Sequence, residues 1–271
     1  YRMKSYIEEY GEFLKTHEFK TVNAGGQNFE VIDSGSGGST IVMLNGVDMY
    51  QFWIHYVSAL EKNYRVVMMK YPLTVWKNTE MAALLHGLFV KLGIDAPILF
   101  GISDGGVLAQ LYAKMYRAGG LVMVSTLTVD SSYVESMKKE KLFMPFMKRY
   151  IKRTSFDKLR VRLVGSVKKH FRNETEEEKA YAVTFLECVG SDEGYRYMFL
   201  RVIQATNDIT RLEKFKKSDL SYLAGRVLVL IPENDMFDKE DSQRLVDIFT
   251  DPVVKQTYGG HMGLVMRPDL Y

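Results

Sequence analysis

Continuous apolar runs alternate along the chain with amphipathic segments. "TIVMLNG" (40–46), "YRVVMMKYP" (64–72), "APILFGIS" (96–103), "GGLVMVSTL" (119–127), "GRVLVLIPEND" (225–235) and "DPVVKQTYGG" (251–260) are of strand length. They are rich in Val and Ile and bounded by Gly or Pro, which favours strand over buried helix. Runs with no polar alternation belong to strands covered on both faces. Before them, "KTVNAGGQNFEVIDSG" reads as two extended segments about Gly25-Gly26, a hairpin signal. Between the runs the period changes. "NTEMAALLHGLFVKLG" sets Met81, Leu84, Leu85, Leu88 and Leu92 on one helical face, "GGVLAQLYAKMYR" does so with Val107, Leu108, Leu111, Tyr112 and Met115, and "KEDSQRLVDIF" with Leu245, Ile248 and Phe249. A short polar helix is expected at the start, over 1–15. Strand and helix in alternation predict an α/β fold with a mainly parallel central sheet flanked by helices.

The alternation stops between 129 and 224. "SYVESMKKEKLFMPFMKRYIKR", "ETEEEKAYAVTFLECVG" and "EGYRYMFLRVIQ" read as helices of mixed polarity, and strands resume at "RVLVLIP". A helical block between two strands of one sheet is an inserted subdomain. The predicted organisation is therefore a core of 1–128 and 225–271 with a helical insertion, 129–224, after the sixth strand.

Composition narrows the partners rather than the fold. The chain has 271 residues, 46% hydrophobic and 25% charged, with a net charge of +3, too small a charge to imply nucleic-acid binding. The single cysteine, Cys188, excludes an internal disulfide framework and a Cys-rich zinc site. No apolar run approaches the roughly 18 residues of a membrane span, and no signal peptide is visible. A cytoplasmic protein, monomeric or homodimeric, is expected. Basic residues outnumber acidic ones from Lys138 to Arg172, interleaved with Phe143, Met144, Phe146 and Met147. That stretch predicts an amphipathic helix with its apolar face over the active site and a solvated basic face. The alternative is docking of an anionic carrier or lipid surface.

The candidate chemistry centres on "ILFGISDGGVLAQ". Small residues surround Ser103 on both sides, after a strand and before a helix. A turn this sharp strains the serine, leaves no room for flanking side chains, and lifts the hydroxyl beside a helix N-terminus. A tight Gly-rich turn with an incidental serine is the alternative. A serine hydroxyl is a poor nucleophile without a base. Of the five histidines, His17, His55, His86 and His170 fall in polar, helical or basic contexts. His261, in "YGGHMG" just past the last strand, lies at the edge where the serine turn emerges. An imidazole base needs a carboxylate to fix its tautomer. Asp235 follows a strand, with Glu233 and Asp238 close by and Asp130 more distant.

The ordered set Ser103, Asp235, His261, each after a strand, resembles the α/β-hydrolase fold superfamily in its lid-bearing branch of serine esterases, lactonases and aminopeptidases. The resemblance spans nearly the whole chain, and its helical lid falls where the insertion lies. It implies oxyanion donors in the backbone N–H groups of Val47 and Asp104, with Asn45-Gly46-Val47 in place of the usual His-Gly. Asn45, Gly46, Phe52, Trp53, Met236 and Phe237 are the expected pocket residues. The implied activity is hydrolysis of a small-molecule carboxylic ester through an acyl-enzyme, with no cofactor and no metal. An aminopeptidase, lactonase, thioesterase or C–C hydrolase would use the same triad. An acidic pair in the lid would favour the aminopeptidase, and Glu174 to Glu178 is the acidic cluster available. A ligand-binding receptor on the same fold is the reading from a different class.

Overall fold

The computed structural model describes residues 4–169, 171, 174–192 and 194–271. His170 and Arg172 lie outside these residues. A short helix, α1 (Tyr6–Phe13), precedes the hairpin of β1 (Lys20–Ala24) and β2 (Gln27–Ser34). Then come β3 (Thr40–Leu44), α2 (Ile54–Leu60), β4 (Arg65–Lys70), α3 (Asn78–Lys91), β5 (Ile98–Ile102), α4 (Asp104–Tyr116) and β6 (Gly120–Val124). Among the described residues five α-helices follow without a strand: α5 (Ser132–Glu140), α6 (Met144–Arg153), α7 (Phe156–Lys168), α8 (Glu176–Gly190) and α9 (Tyr195–Ile209). The chain returns to the sheet with β7 (Val227–Asn234), α10 (Lys239–Asp247), β8 (Val253–Gly260) and α11 (Gly263–Met266).

The eight strands form one sheet in the order β1-β2-β4-β3-β5-β6-β7-β8. β1 with β2 and β2 with β4 are antiparallel; the other neighbours are parallel. The unbroken apolar runs are explained by burial on both faces. Val42 and Leu44 of β3 join Leu85 and Leu88 of α3 and Val107 and Leu111 of α4 on one face. Their neighbours Ile41 and Met43 join Ile54 and Val57 of α2 and Ala182 and Phe185 of α8 on the other. Alternate side chains of a strand point to opposite faces, so each face needs its own apolar set.

The helices α5 to α9 lie between β6 and β7. Two details differ from the sequence expectation. The stretch 132–153 is two α-helices, because Pro145 sits in the first turn of α6, where its missing N–H costs no helical bond. The helix α7, with Leu159 and Leu163 buried, was not anticipated as a separate element. Two helix starts in the insertion carry local caps. The Ser131 hydroxyl accepts from Val134 N–H, and Thr175 and Glu178 form a reciprocal capping box.

Candidate active site

Ser103 occupies the one-residue junction between β5 and α4, with φ 54° and ψ −124°. Non-glycine residues rarely hold such angles, and they persist only where packing over-determines them. The surrounding glycines supply that packing. A Cβ at Gly105 would come within 2.3 Å of the Leu44 carbonyl oxygen, and one at Gly101 within 2.5 Å of the Gly105 carbonyl oxygen. The helix is pressed onto β3 and β5 so closely that only hydrogen fits there. Ser103 N–H donates to the Val124 carbonyl at 3.2 Å and Gly106 N–H to the Ser103 carbonyl at 3.0 Å. The Thr126 hydroxyl also donates to the Ser103 carbonyl. The backbone is thus pinned on both sides, while the side chain is left facing a cavity.

That cavity, about 280 Å³, is lined by Ser103, Asp104 and His261 together with Gly46, Val47 and Phe52. Met236 and Phe237 also line it. Two of the expected pocket residues do not. Asn45 is fully buried beneath the cavity, donating to the Met69 carbonyl at 2.7 Å and accepting from the Trp53 indole N–H at 2.9 Å. Trp53 is enclosed in the core against Phe100 and Tyr56. Their polar atoms satisfy one another and the backbone, which brings both side chains into the structure that supports the loop. The wall that local sequence patterning did not reveal comes from the insertion: Leu163 and Val167 of α7, Leu186 of α8, and Val202 and Ile209 of α9. Their apolar period reads the same whether a helix covers core or ligand, so no sequence signal singles them out. Phe143 and Phe146 point away, 65% and 72% exposed, so the aromatic stretch expected over the active site faces outward instead.

His261 follows β8, and its Nδ1 lies 2.8 Å from Asp235 Oδ1. Asp235 also accepts from the Met236 N–H at 2.6 Å. The Phe237 ring meets the imidazole edge to face at 5.4 Å, fixing the ring plane. The alternative acids are engaged elsewhere or exposed. Asp238 caps α10, accepting from Asp241 N–H at 2.7 Å. Asp130 lies 3.9 Å from Lys214, and Glu233 is exposed. Three other histidines have partners of their own: His17 with Glu61 at 2.9 Å, His55 with Glu9 at 3.2 Å, and His86 stacked on Tyr116. None of Glu174 to Glu178 lines the cavity; Glu176, Glu177 and Glu178 instead fill the first turn of α8.

The loop after β3 brings the Val47 N–H to the same end of the cavity, with Val47 and Asp48 both at positive φ (51° and 55°). This N–H donates to the Asp104 carboxylate at 2.5 Å. Burial pushes the Asp104 carboxyl above the usual carboxylate range, opposed first by the charge of Arg201 and then by the N–H groups of Val47 and of Asp104 itself. Asp48 lies beside it, buried, and burial raises its carboxyl to about 6 against the pull of Arg201 and of the Asn45 amide. The Asp104 side chain is thus the hydrogen-bond acceptor for the Val47 N–H that the loop after β3 brings beside the serine turn. No helix is long and apolar enough to cross a membrane, and no group of three metal-ligating side chains occurs among the described residues.

Neither a protein-family model nor a curated protein sequence matches the chain. Solved structures do match its architecture. An enol-lactonase from Burkholderia xenovorans superposes with a TM-score of 0.71 at 14% identity, over 92% of this chain and 95% of that one. An α/β-hydrolase fold protein from Chitinophaga pinensis gives 0.70 at 13% identity, over 94% of each chain. Naproxen esterase from Bacillus subtilis gives 0.65 at 15% identity, over 99% of this chain and 96% of that one. At such identities the likeness is one of fold: the chain has the α/β-hydrolase fold.

Proposed function

We propose that the protein is a serine hydrolase that cleaves a small, partly apolar carboxylic ester through an acyl-enzyme. The observation that carries this reading is the strained Ser103 on the wall of an apolar cavity that His261 also lines, with His261 Nδ1 held by Asp235 at 2.8 Å. In this reading Ser103 Oγ attacks the ester carbonyl while His261 Nε2 takes its proton. The bond from Nδ1 to Asp235 keeps Nε2 free as the base and stabilises the imidazolium. The tetrahedral oxyanion is received by the N–H groups of Val47 and Asp104, beside the N-terminus of α4. Collapse expels the alcohol, which takes the proton back from His261, and water repeats the cycle on the acyl-enzyme.

The cavity lining supports an apolar acyl group, since Asp104 is the one carboxylate among the described residues that line it and the side chains from α7, α8 and α9 are mainly aliphatic. The same features weigh against an aminopeptidase, which needs acidic groups facing the substrate amine. Over this cavity the helical insertion acts as the lid. Labelling with a fluorophosphonate, followed by a panel of p-nitrophenyl esters of increasing acyl length, tests the reading. Absence of label on Ser103, with no ester turned over, would point to the ligand-binding alternative.

The outer face of the lid supports a partner. Leu142, Phe143 and Phe146 are 81%, 65% and 72% exposed. Beside them Lys148, Arg149, Lys152 and Arg153 have no ion-pair partner among the described residues. Exposed aromatic and aliphatic groups set among unpaired cations suit the boundary of an anionic lipid surface.

A further inference from the structure

A second cavity, about 260 Å³, is nearly as large as the one at Ser103, about 280 Å³. It lies where the inserted helices meet the core. β2 and the chain leaving β4 form one side, and the turn from α8 into α9 forms the other. No described residue lines both cavities. The segment 46–52 contributes to each in turn: Gly46, Val47, Met49 and Phe52 line the cavity at Ser103, whereas Asp48, Tyr50 and Gln51 line this one.

Gln51 is the group that the fold leaves unused. It is 2% exposed, and its amide oxygen has no hydrogen-bond partner among the described residues. A buried acceptor left idle is costly, and a bound molecule that donates to it removes the cost. The other polar groups of the wall are held in place. Asp192 accepts from the Tyr50 hydroxyl at 2.6 Å and from the Gly194 N–H at 2.8 Å, which ties the core loop to the start of α9. Asp48 accepts from the Asn45 amide at 3.2 Å, and Glu30 from the Thr21 hydroxyl at 2.7 Å. The Lys70 ammonium lies 4.6 and 4.8 Å from the ring centres of Phe19 and Tyr50 and 4.0 Å from Asp192. At that separation no close ion pair takes up its N–H donors.

The charges of this wall nearly cancel. Lys70 stands opposite Glu30 in the strand register. Tyr71, also in the wall, carries Arg201 on its ring with Cζ 4.7 Å from the centre. That guanidinium is itself buried, with Nε and Nη1 idle among the described residues. An anionic ligand would meet the carboxylates of Glu30, Asp48 and Asp192, and a cationic one would meet Lys70. Donors and acceptors are interleaved, since Lys70 and the amides of Asn28 and Gln51 can donate while the carboxylates accept. A hydroxyl does both. Leu73, Val189 and Met198 add apolar surface for the C–H face of a ring. We propose that this cavity is a binding site for a neutral polyhydroxyl ring, a monosaccharide or a cyclitol, with Gln51 Oε1 accepting from one of its hydroxyls. The site is separate from Ser103 and does not rest on the reading of that serine as the nucleophile.

The test is a titration of the protein with D-glucose, D-galactose, D-mannose and myo-inositol, each to ~50 mM, followed by saturation-transfer NMR, with ethanolammonium and acetate as charged probes. At least one of the four is expected to saturate with a Kd of about 1 mM or below. Gln51→Met keeps the length of the side chain and removes the amide. It is expected to weaken that ligand about 5- to 10-fold, while the melting temperature without ligand holds or rises, because no protein hydrogen bond to the amide oxygen is lost. Should Gln51→Met fail to fold, Glu30→Ala on half-buried β2 replaces it, with the same weakening expected. Met236→Trp narrows the cavity at Ser103 and should leave the affinity within about twofold, since the two sites share no lining residue. The proposal is overturned if none of the four saturates, if ethanolammonium or acetate binds more tightly, or if the amide-free variant binds as well as the wild type. Affinity lost in Met236→Trp would place the ligand at Ser103 and overturn it equally.

Discussion

His261 and Asp235 each stand one residue beyond a register pair: Asn234 on β7 lies opposite Gly260 on β8, and 2.8 Å separates the imidazole Nδ1 from the carboxylate. The pairing is set by backbone ladder bonds rather than by the side chains, and a register irregularity between Pro232 and Asn234 adjusts it at its end. Parallel neighbours end on the same edge of the sheet, the edge where β5 delivers Ser103. Two side chains 26 residues apart thus meet at the mouth of one cavity.

Replacing Ser103 with Ala is expected to abolish ester hydrolysis and fluorophosphonate labelling while leaving the fold intact. The melting temperature should hold or rise slightly, because alanine fills the same space with no hydroxyl to place. Label persisting in the Ser103→Ala protein, located by mass spectrometry, would move the nucleophile elsewhere.

Asp235→Asn removes the acceptor that fixes the His261 tautomer. A loss of kcat of about 10³- to 10⁴-fold is expected. Asp130→Asn and Asp238→Asn should stay within about threefold, since their carboxylates serve a distant lysine and a helix cap. Steady-state kinetics on one ester decide this, and a severe Asp238→Asn variant would redraw the triad.

Acyl preference should respond to the inner wall of the insertion, not to its aromatic outside. Leu163→Ala and Ile209→Ala enlarge the cavity and should shift the optimum toward longer esters, at about 2–5 kcal/mol of stability each where the side chain is packed. Phe146→Ala should change neither selectivity nor melting temperature appreciably. An ester panel with the opposite pattern would place the substrate against the outer face.

The outer face should bind vesicles of phosphatidylserine and phosphatidylcholine better than vesicles of phosphatidylcholine alone. Reversing Lys148, Arg149, Lys152 and Arg153 to Glu should remove the difference while hydrolysis of a small neutral ester stays unchanged. Binding should weaken with salt, as screening shortens to about 8 Å at physiological ionic strength. Co-sedimentation that is the same for both lipids and insensitive to salt would leave the cations as ordinary solvated surface.

Asp48 carries a pH signature. Its carboxyl is raised from 3.8 to about 6 by burial, so the folded protein holds a proton that the unfolded chain has already released between these values. Stability is unaffected below about pH 4, falls as pH rises toward 6, and levels off above, by about 3 kcal/mol in total. Asp48→Asn should flatten that segment of the stability profile, measured by denaturant titration from pH 4 to 7. A slope surviving the substitution would assign it to other groups.

The sequence alone determined the parts of this protein that local physics controls. Unbroken apolar runs mark strands buried on both sides, apolar residues recurring on one helical face mark the covering helices, and glycines around Ser103 mark a turn where backbone meets backbone. These signals are short in range, and each follows from steric or hydrophobic demands on a few neighbouring residues. From them come the strand set and the expectation of a candidate site at Ser103, Asp235 and His261, of which the last two are hydrogen-bonded at 2.8 Å. Tertiary structure decided what depends on the direction a side chain takes once distant elements pack. Trp53 and Asn45 turn into the supporting core, while Phe143 and Phe146 turn out to solvent. Leu163, Val202 and Ile209 turn inward, although their spacing is that of any amphipathic helix. The pairing of the Asp104 carboxylate with Val47 N–H and the idle guanidinium of Arg201 lie wholly in this second category. The first joins residues 57 positions apart, and the second is a side chain of α9 enclosed only after the chain has folded.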